Sequence, residues 1–210
     1  MSNKINFTPK TSTTIDSVDF DNIKFGSIVA DYMYIADYID GEWQDMRILP
    51  YGNMSVSPAN MAWHYGQAIF EGMKATKSSD GQPYLYRPEK HAVRFGKSAS
   101  RMEMPVFPEE LFLEAVNELT DLNKDWIPTA SGCALYIRPF MIAFDNHIGV
   151  RASHTYRFMI LNLPAGAYYN RKISLKVEEF FIRATVGGVG DIKNAGKFLC
   201  DTNSLIYACW

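Results

Sequence analysis

The stretch CALYIRPFMIAF at residues 133–144 limits the fold more than any other part of the chain. Its aliphatic and aromatic density reads as a buried strand, with Pro139 at an edge or bulge because proline cannot donate to a sheet ladder. Residues 155–163 and 171–178 read as strands of the same kind. Tyr136 and Arg138 lie two apart in the first of these strands and so share one face. An arginine in so apolar a strand needs an anion, either an internal carboxylate or a carboxylate on a ligand.

The segments before that strand alternate between hairpin and helix signals. Aromatic and β-branched residues flank Asp40-Gly41 within residues 31–47, and Asp-Gly supplies the positive φ angles of a type I′ turn. Residues 73–78 and 83–87 flank Ser79-Asp80-Gly81-Gln82 as a second hairpin. Ser57-Pro58 reads as an N-cap and first helical residue, opening a short helix that ends before Gly72 with Met61, His64, Tyr65 and Ala68 on one face. Pro88 opens a basic helix carrying His91, Arg94, Lys97 and Arg101. Pro108 starts another, whose Leu111, Ala115, Leu119 and Leu122 fall at helical spacing, with Glu109 and Glu110 favouring the positive end of its dipole. Residues 1–24 read as a mostly irregular arm, with order beginning near Phe25. Residues 145–154 are the best candidate for an interdomain link.

Composition narrows the partners. With 47% hydrophobic and 21% charged residues the chain is globular in character, and its 21 Lys and Arg against 23 Asp and Glu leave a net charge of -2. That balance gives no footprint for nucleic acid. Cys133, Cys200 and Cys209 form no CxxC pair and no zinc spacing with histidine, and His64 and His147 have no metal-spaced neighbours, so no metal is expected. No run of about 18 apolar residues occurs, and the first residues have no apolar signal core. The expectation is a soluble, cytoplasmic protein with no membrane partner.

The sharpest local feature is GGVGDIKNAGK at residues 187–197. It is not a Walker loop: five residues separate Gly190 from Gly196 where four are needed, and Phe198 stands where a hydroxyl must reach the metal. Nor is there a GxGxxG for a dinucleotide. A lysine enclosed by glycines suits different chemistry, because a Schiff base needs an amine with backbone that lets a planar group lie close. Lys193 fits that description, with a solvated loop lysine as the alternative. Arg94 can present its guanidinium to a phosphate, or lie on a solvated basic face.

With these residues in view, the chain resembles the branched-chain amino acid aminotransferases, pyridoxal phosphate enzymes of fold type IV. The resemblance runs from about Phe25 to Gly196. It rests on YGQAIFEGMKA at 65–75, RPEKHAVRFGKSASRMEMP at 87–105, LYIRPFMIA at 135–143 and FIRATVGGVGDIKNAG at 181–196, four motifs in the family's order. The resemblance implies an α/β (α+β) fold: a small domain with antiparallel sheet and helices at residues 25–146, a link at 147–153, and the first part of a larger β-rich domain at 154–210. It implies that Lys193 forms the Schiff base with pyridoxal 5′-phosphate and acts as general base, and that Arg94 binds the cofactor phosphate. Phe25, Tyr65, Phe70 and Tyr136 would line the substrate pocket. Arg138, supported by Tyr65, would meet the side-chain carboxylate of glutamate. Ile148 and Val150 would reach the partner subunit's site in a homodimer. The implied reaction is ping-pong transamination of leucine, isoleucine and valine with 2-oxoglutarate.

The likeness stops after Gly196. Lys197 and Phe198 stand where the family has Asn-Tyr, which removes the hydroxyl expected at the cofactor's O3′, and the tail 197–210 has no family likeness. The expectation from this break is a truncated or frameshifted, weakly active or inactive form. The alternatives are a non-catalytic binding or dimerisation module, or a D-amino acid transaminase or pyridoxal phosphate lyase of the same fold.

Overall fold

The computed structural model describes residues 5–166, 172, 174, 177, 179 and 184–196. Most of the strand expected at 171–178, and the tail 197–210 with Phe198, lie outside the described residues.

One eight-stranded sheet organises the chain. Its strands are β1 (Asn6–Phe7), β2 (Tyr32–Ile39), β3 (Glu42–Pro50), β4 (Ala68–Phe70), β5 (Met73–Lys77), β6 (Pro83–Leu85), β7 (Ala134–Ala143) and β8 (Tyr156–Ala165). They lie in the order β1-β3-β2-β8-β7-β5-β6, with β4 also paired to β7. All pairings are antiparallel except β1 with β3. Asp40 and Gly41 have φ of 54° and 85°, the double positive that a type I′ turn needs to join β2 to β3. Pro139 is at neither an edge nor a bulge of its own strand. It pairs with Ile160 on one side, and on the other it faces the break between β4 and β5, where its carbonyl accepts the Glu71 N–H at 2.7 Å. A residue's N–H and C=O point the same way, so the missing donor costs no ladder bond.

Period-two alternation divides the sheet into two faces. Tyr34, Ala36, Leu135, Ile137 and Phe158 lie beneath helices α2 (Pro88–Arg101) and α3 (Glu109–Leu122) in the larger core. Phe158 is its hub, with ring centroids 4.2 Å from Phe107, 5.3 Å from Phe95, 5.8 Å from Phe112 and 5.9 Å from Tyr34. Helix α3 buries Phe112, Ala115, Val116 and Leu119, while Leu122 is exposed. The expected stripe is therefore rotated about the axis, because a phenylalanine reaching Phe95 and Phe158 buries more than Leu122 can. Met33, Ile35 and Met159 make a smaller cluster on the other face.

Three expectations about boundaries are corrected. Helix α1 spans Met61–Tyr65: Asn60, not Ser57, is its N-cap, accepting the Ala62 N–H at 3.0 Å, and Gly66 ends it with φ of 66°. Ala68 is already in β4, and of the expected face only Met61 is buried. The arm is tied down before Phe25, since β1 pairs with β3 and Asp31 accepts from Thr13 Oγ1, Trp126 Nε1 and the Lys10 ammonium. Finally, β8 lies between β2 and β7, so the strand beyond 147–153 completes the first sheet and begins no new one. The intervening loop folds back on Asp145, whose carboxylate accepts the His154 and Thr155 N–H groups at 3.0 Å each and pairs with Arg151 at 2.9 Å.

Candidate active site

On the face of β7 away from the helices, Tyr136, Arg138, Phe140 and Ile142 follow one another at every second residue, each only half-buried. They form one wall of a cavity of about 700 Å³, together with Leu161 of β8 on one side and Ala68 and Phe70 of β4, which also pairs with β7, on the other. Lys193 closes the cavity although it lies far along the chain. Residues 193–195 add beside β4: the Phe70 N–H donates to the Lys193 carbonyl and the Ala195 N–H to the Ala68 carbonyl, both at 3.0 Å, around an Ile69–Asn194 bridge. The Lys193 N–H donates to Ser98 Oγ at 3.0 Å, and that hydroxyl donates to the Arg94 carbonyl one turn earlier in α2.

Two cations share one aromatic ring. Lys193 Nζ lies 4.5 Å, and the Arg138 guanidinium carbon 4.6 Å, from the Phe70 ring centroid. Attraction to the ring face offsets part of the cost of holding charge in a largely apolar cavity, and an anionic ligand would offset more. Arg138 is fixed by donating through Nε and Nη2 to Tyr136 Oη at 3.2 and 2.9 Å. Its supporting hydroxyl is thus Tyr136, not Tyr65. Tyr136 in turn meets Phe25 edge-on at 5.0 Å, and behind it lies a second cavity of about 220 Å³ that Phe25, Lys74 and Gly166 help to line.

Arg94 stands on the next turn of α2 from Ser98, about half-exposed, and donates from Nε and Nη2 to Glu71 at 2.5 and 2.7 Å. Burial drives the Glu71 carboxyl toward its neutral form, but hydrogen bonds from Arg94 and His91, with the Arg94 charge, outweigh it and hold the group below the usual carboxylate range. The basic face of α2 is therefore not simply solvated. Lys97 pairs with Asp191 at 2.8 Å and Arg101 donates to the Gly187 carbonyl at 3.3 Å, so the helix grips the glycine-rich loop at several points.

Of the residues singled out from sequence, Lys193, Phe70, Tyr136 and Arg138 come together on the cavity, with Arg94 held one helical turn from the Lys193 backbone contact. Phe25 does not line this cavity; it meets Tyr136 and helps to line the smaller one behind it. Tyr65, Ile148 and Val150 do not line it and are 45%, 59% and 94% exposed. Sequence reasoning missed Glu71, Ser98, Phe140, Ile142 and Leu161. Glu71 carried a readable signal: an acid between Phe70 and Gly72 in an apolar segment raises the same demand for a partner as Arg138 did.

The fold is that of the fold type IV aminotransferases. A branched-chain aminotransferase from Thermoproteus uzoniensis, solved with norvaline, superposes with a TM-score of 0.65 at 20% identity, covering 84% of this chain and 56% of that one. A branched-chain amino acid aminotransferase from T.th. gives 0.66 at 22% with pyridoxamine 5′-phosphate, and 0.65 at 23% in complex with N-(5′-phosphopyridoxyl)-L-glutamate, covering 84% of this chain and 55% of that one in both cases. In sequence, the chain is homologous to branched-chain aminotransferases. It is 42% identical over 201 residues to branched-chain-amino-acid transaminase 1 of Bacillus subtilis, covering 93% of this chain and 56% of that protein. It is 44% identical over 192 residues to branched-chain-amino-acid aminotransferase 2 of the same organism, covering 90% and 53%. The chain thus spans about half the length of the curated relatives it matches. No family model matches it.

Proposed function

We propose that this chain carries the catalytic lysine and one wall of the substrate pocket of a pyridoxal 5′-phosphate-dependent transaminase, acting on branched-chain L-amino acids with 2-oxoglutarate as amino acceptor. The observation that carries the reading is the pairing of Lys193 and Arg138 on the Phe70 ring inside an otherwise apolar cavity. The likeness to branched-chain aminotransferases supports it.

The residues present fit the cofactor. Arg94 commits only its Nε/Nη2 edge to Glu71, leaving the other N–H groups of its fork to face a phosphate, while Lys193 presents an amine at the cavity wall. When bound, the cofactor supplies a carbonyl that captures amines and a conjugated ring that takes up the electron pair released at the substrate Cα. Lys193 Nζ is the group placed to take the Cα proton. Phe70, Phe140, Ile142 and Leu161 offer an aliphatic side chain an apolar surround that excludes water. Arg138, steadied by Tyr136, offers a carboxylate side chain a charged partner in the same space. One cavity thereby serves both halves of a ping-pong cycle. The exposure of Tyr65, Ile148 and Val150 supports a homodimer in which a second copy covers them. No helix among the described residues is long and apolar enough to cross a membrane, and a cytoplasmic location belongs to the same proposal. Any second domain begins, in this proposal, after β8, the last strand of the first sheet among the described residues.

Separate measurement of the two half-reactions, with leucine and with glutamate, tests this reading. Arg138→Ala should slow the glutamate half-reaction by at least tenfold more than the leucine one, since a charge-assisted contact worth about 1.5–3 kcal/mol is lost in only one of them. Equal losses in both would remove the dual role assigned to Arg138.

A further inference from the structure

Glu71 is fully buried, and its N–H and both carboxylate oxygens are engaged. Its N–H donates to the Pro139 carbonyl in β7 at 2.7 Å. Its Oε1 accepts from Arg94 Nε at 2.5 Å, and its Oε2 from Arg94 Nη2 at 2.7 Å, His91 Nδ1 at 2.8 Å and the Gly72 N–H at 3.2 Å. This carboxylate is the junction of three parts of the site. It follows directly on Phe70, whose ring carries Lys193 and Arg138; its backbone bonds the strand that bears Arg138; and its side chain grips α2, which bears both Arg94 and Ser98.

A free arginine on a helix surface samples many rotamers, so its ability to meet a phosphate edge-on depends on what fixes the plane of the fork. The Glu71 contact takes one edge in the two-bond geometry that sets that plane. The opposite edge, formed by Nη1 and the second Nη2 hydrogen, is the one turned away from the carboxylate. Glu71 and a phosphate therefore use different edges of one guanidinium and do not compete for it.

We propose that Glu71 is a positioning residue for phosphate recognition: it acts through Arg94, holding the guanidinium so that its outer edge meets the cofactor phosphate. This rests on Arg94 as the phosphate ligand. It adds a dependence that the Arg94 assignment does not contain, namely that phosphate selectivity is lost when Arg94 is present but its carboxylate partner is changed.

The test compares the dissociation constants of pyridoxal 5′-phosphate and of pyridoxal, which lacks the phosphate, for the unaltered protein and its variants. Glu71→Gln places an NH₂ against donors of Arg94 or His91 and breaks the two-bond fork. It should weaken pyridoxal 5′-phosphate by about tenfold while changing pyridoxal less than about twofold. In the Arg94→Ala background the same substitution should have no further effect on the ratio of the two constants. Glu71→Asp keeps the charge with a shorter reach and should recover part of the selectivity; it also serves as the test if the glutamine variant does not fold. A merely structural role for Glu71 would weaken both ligands alike, and that result would overturn the proposal. So would a loss of selectivity that persists when Arg94 is absent. If Arg94→Ala itself leaves the ratio unchanged, the phosphate role of Arg94 falls, an outcome distinct from failure of Glu71 alone.

Discussion

Replacing Gly72 with alanine puts a methyl group where the Tyr136 side chain now sits. An added Cβ would stand 2.2 Å from Tyr136 Oη, 2.9 Å from Cζ and 3.0 Å from Cε2, against an ordinary contact of 3.4–4 Å. Gly72 is not in the left-handed region, so the conflict is one of space and not of backbone strain. The ring has to retreat by more than about 1 Å, and bonds that are now 2.9 and 3.2 Å to Arg138 then exceed hydrogen-bonding range. Arg138 is only partly buried and water can replace Tyr136, so the cost in stability should be about 1 kcal/mol, or roughly 2–4 °C in Tm for a chain of this size. The cost in recognition should be larger, because an unsteadied guanidinium loses a charge-assisted contact of about 1.5–3 kcal/mol, which is about 10- to 150-fold in affinity. Titration calorimetry with glutarate and with 4-methylvalerate measures this directly. Gly72→Ala should weaken glutarate by that factor and 4-methylvalerate by less than about threefold. In a Tyr136→Phe background, where the hydroxyl is already gone, it should cost glutarate much less. Unchanged glutarate binding would refute the link from Gly72 through Tyr136 to Arg138, as would equal loss of both ligands.

Two further outcomes concern stability. Phe158→Ala empties the centre of the aromatic cluster beneath α2 and α3; it should cost about 3–5 kcal/mol, lowering Tm by roughly 6–20 °C, and a fall of less than about 3 °C would show that the hub lies elsewhere. Asp145 is pushed toward its neutral form by burial, yet hydrogen bonds from Thr155, His154 and Arg151 more than reverse this and hold it well below the usual carboxylate range. A depressed folded-state pKa contributes stability that is present above the unfolded value, near pH 4, and lost as pH falls toward the folded one. Urea midpoints should therefore drop below about pH 4, and Asp145→Ala should flatten that drop; an unchanged slope in the variant would assign the acid sensitivity to other groups.

What the sequence disclosed and what it hid divide along the range of the interactions. Asp40-Gly41, the proline openings of α2 and α3 and the apolar density of residues 133–144 are local signals, and each marks an element within a residue or two of its observed bounds. The insertion of β8 between β2 and β7, the pairing of β1 with β3 and the addition of residues 193–195 beside β4 join segments far apart in the chain, and no periodicity records them. The same holds within the site. Lys193 and Arg138 were legible because each sits in an unusual local setting, whereas Phe70 and the pocket role of Tyr136 came only from the family resemblance. The partner of Arg94 was not, because Glu71 precedes it by 23 residues and only the packing of α2 against the β4–β5 turn brings the two together. Helix α3 shows a different failure: its apolar residues were read correctly as a stripe, but Phe112 and Val116 define the buried side because Phe158 lies beneath them.

Reductive trapping tests most directly whether Lys193 is the cofactor lysine. The protein is incubated with pyridoxal 5′-phosphate, reduced with borohydride and digested, and the peptides are sequenced by mass spectrometry. The phosphopyridoxyl group should appear on Lys193, with labelling reduced in Arg94→Ala and abolished at that position in Lys193→Ala. Labelling spread evenly over surface lysines such as Lys90 and Lys124, with no excess at Lys193, would contradict the reading of this cavity as a transaminase site.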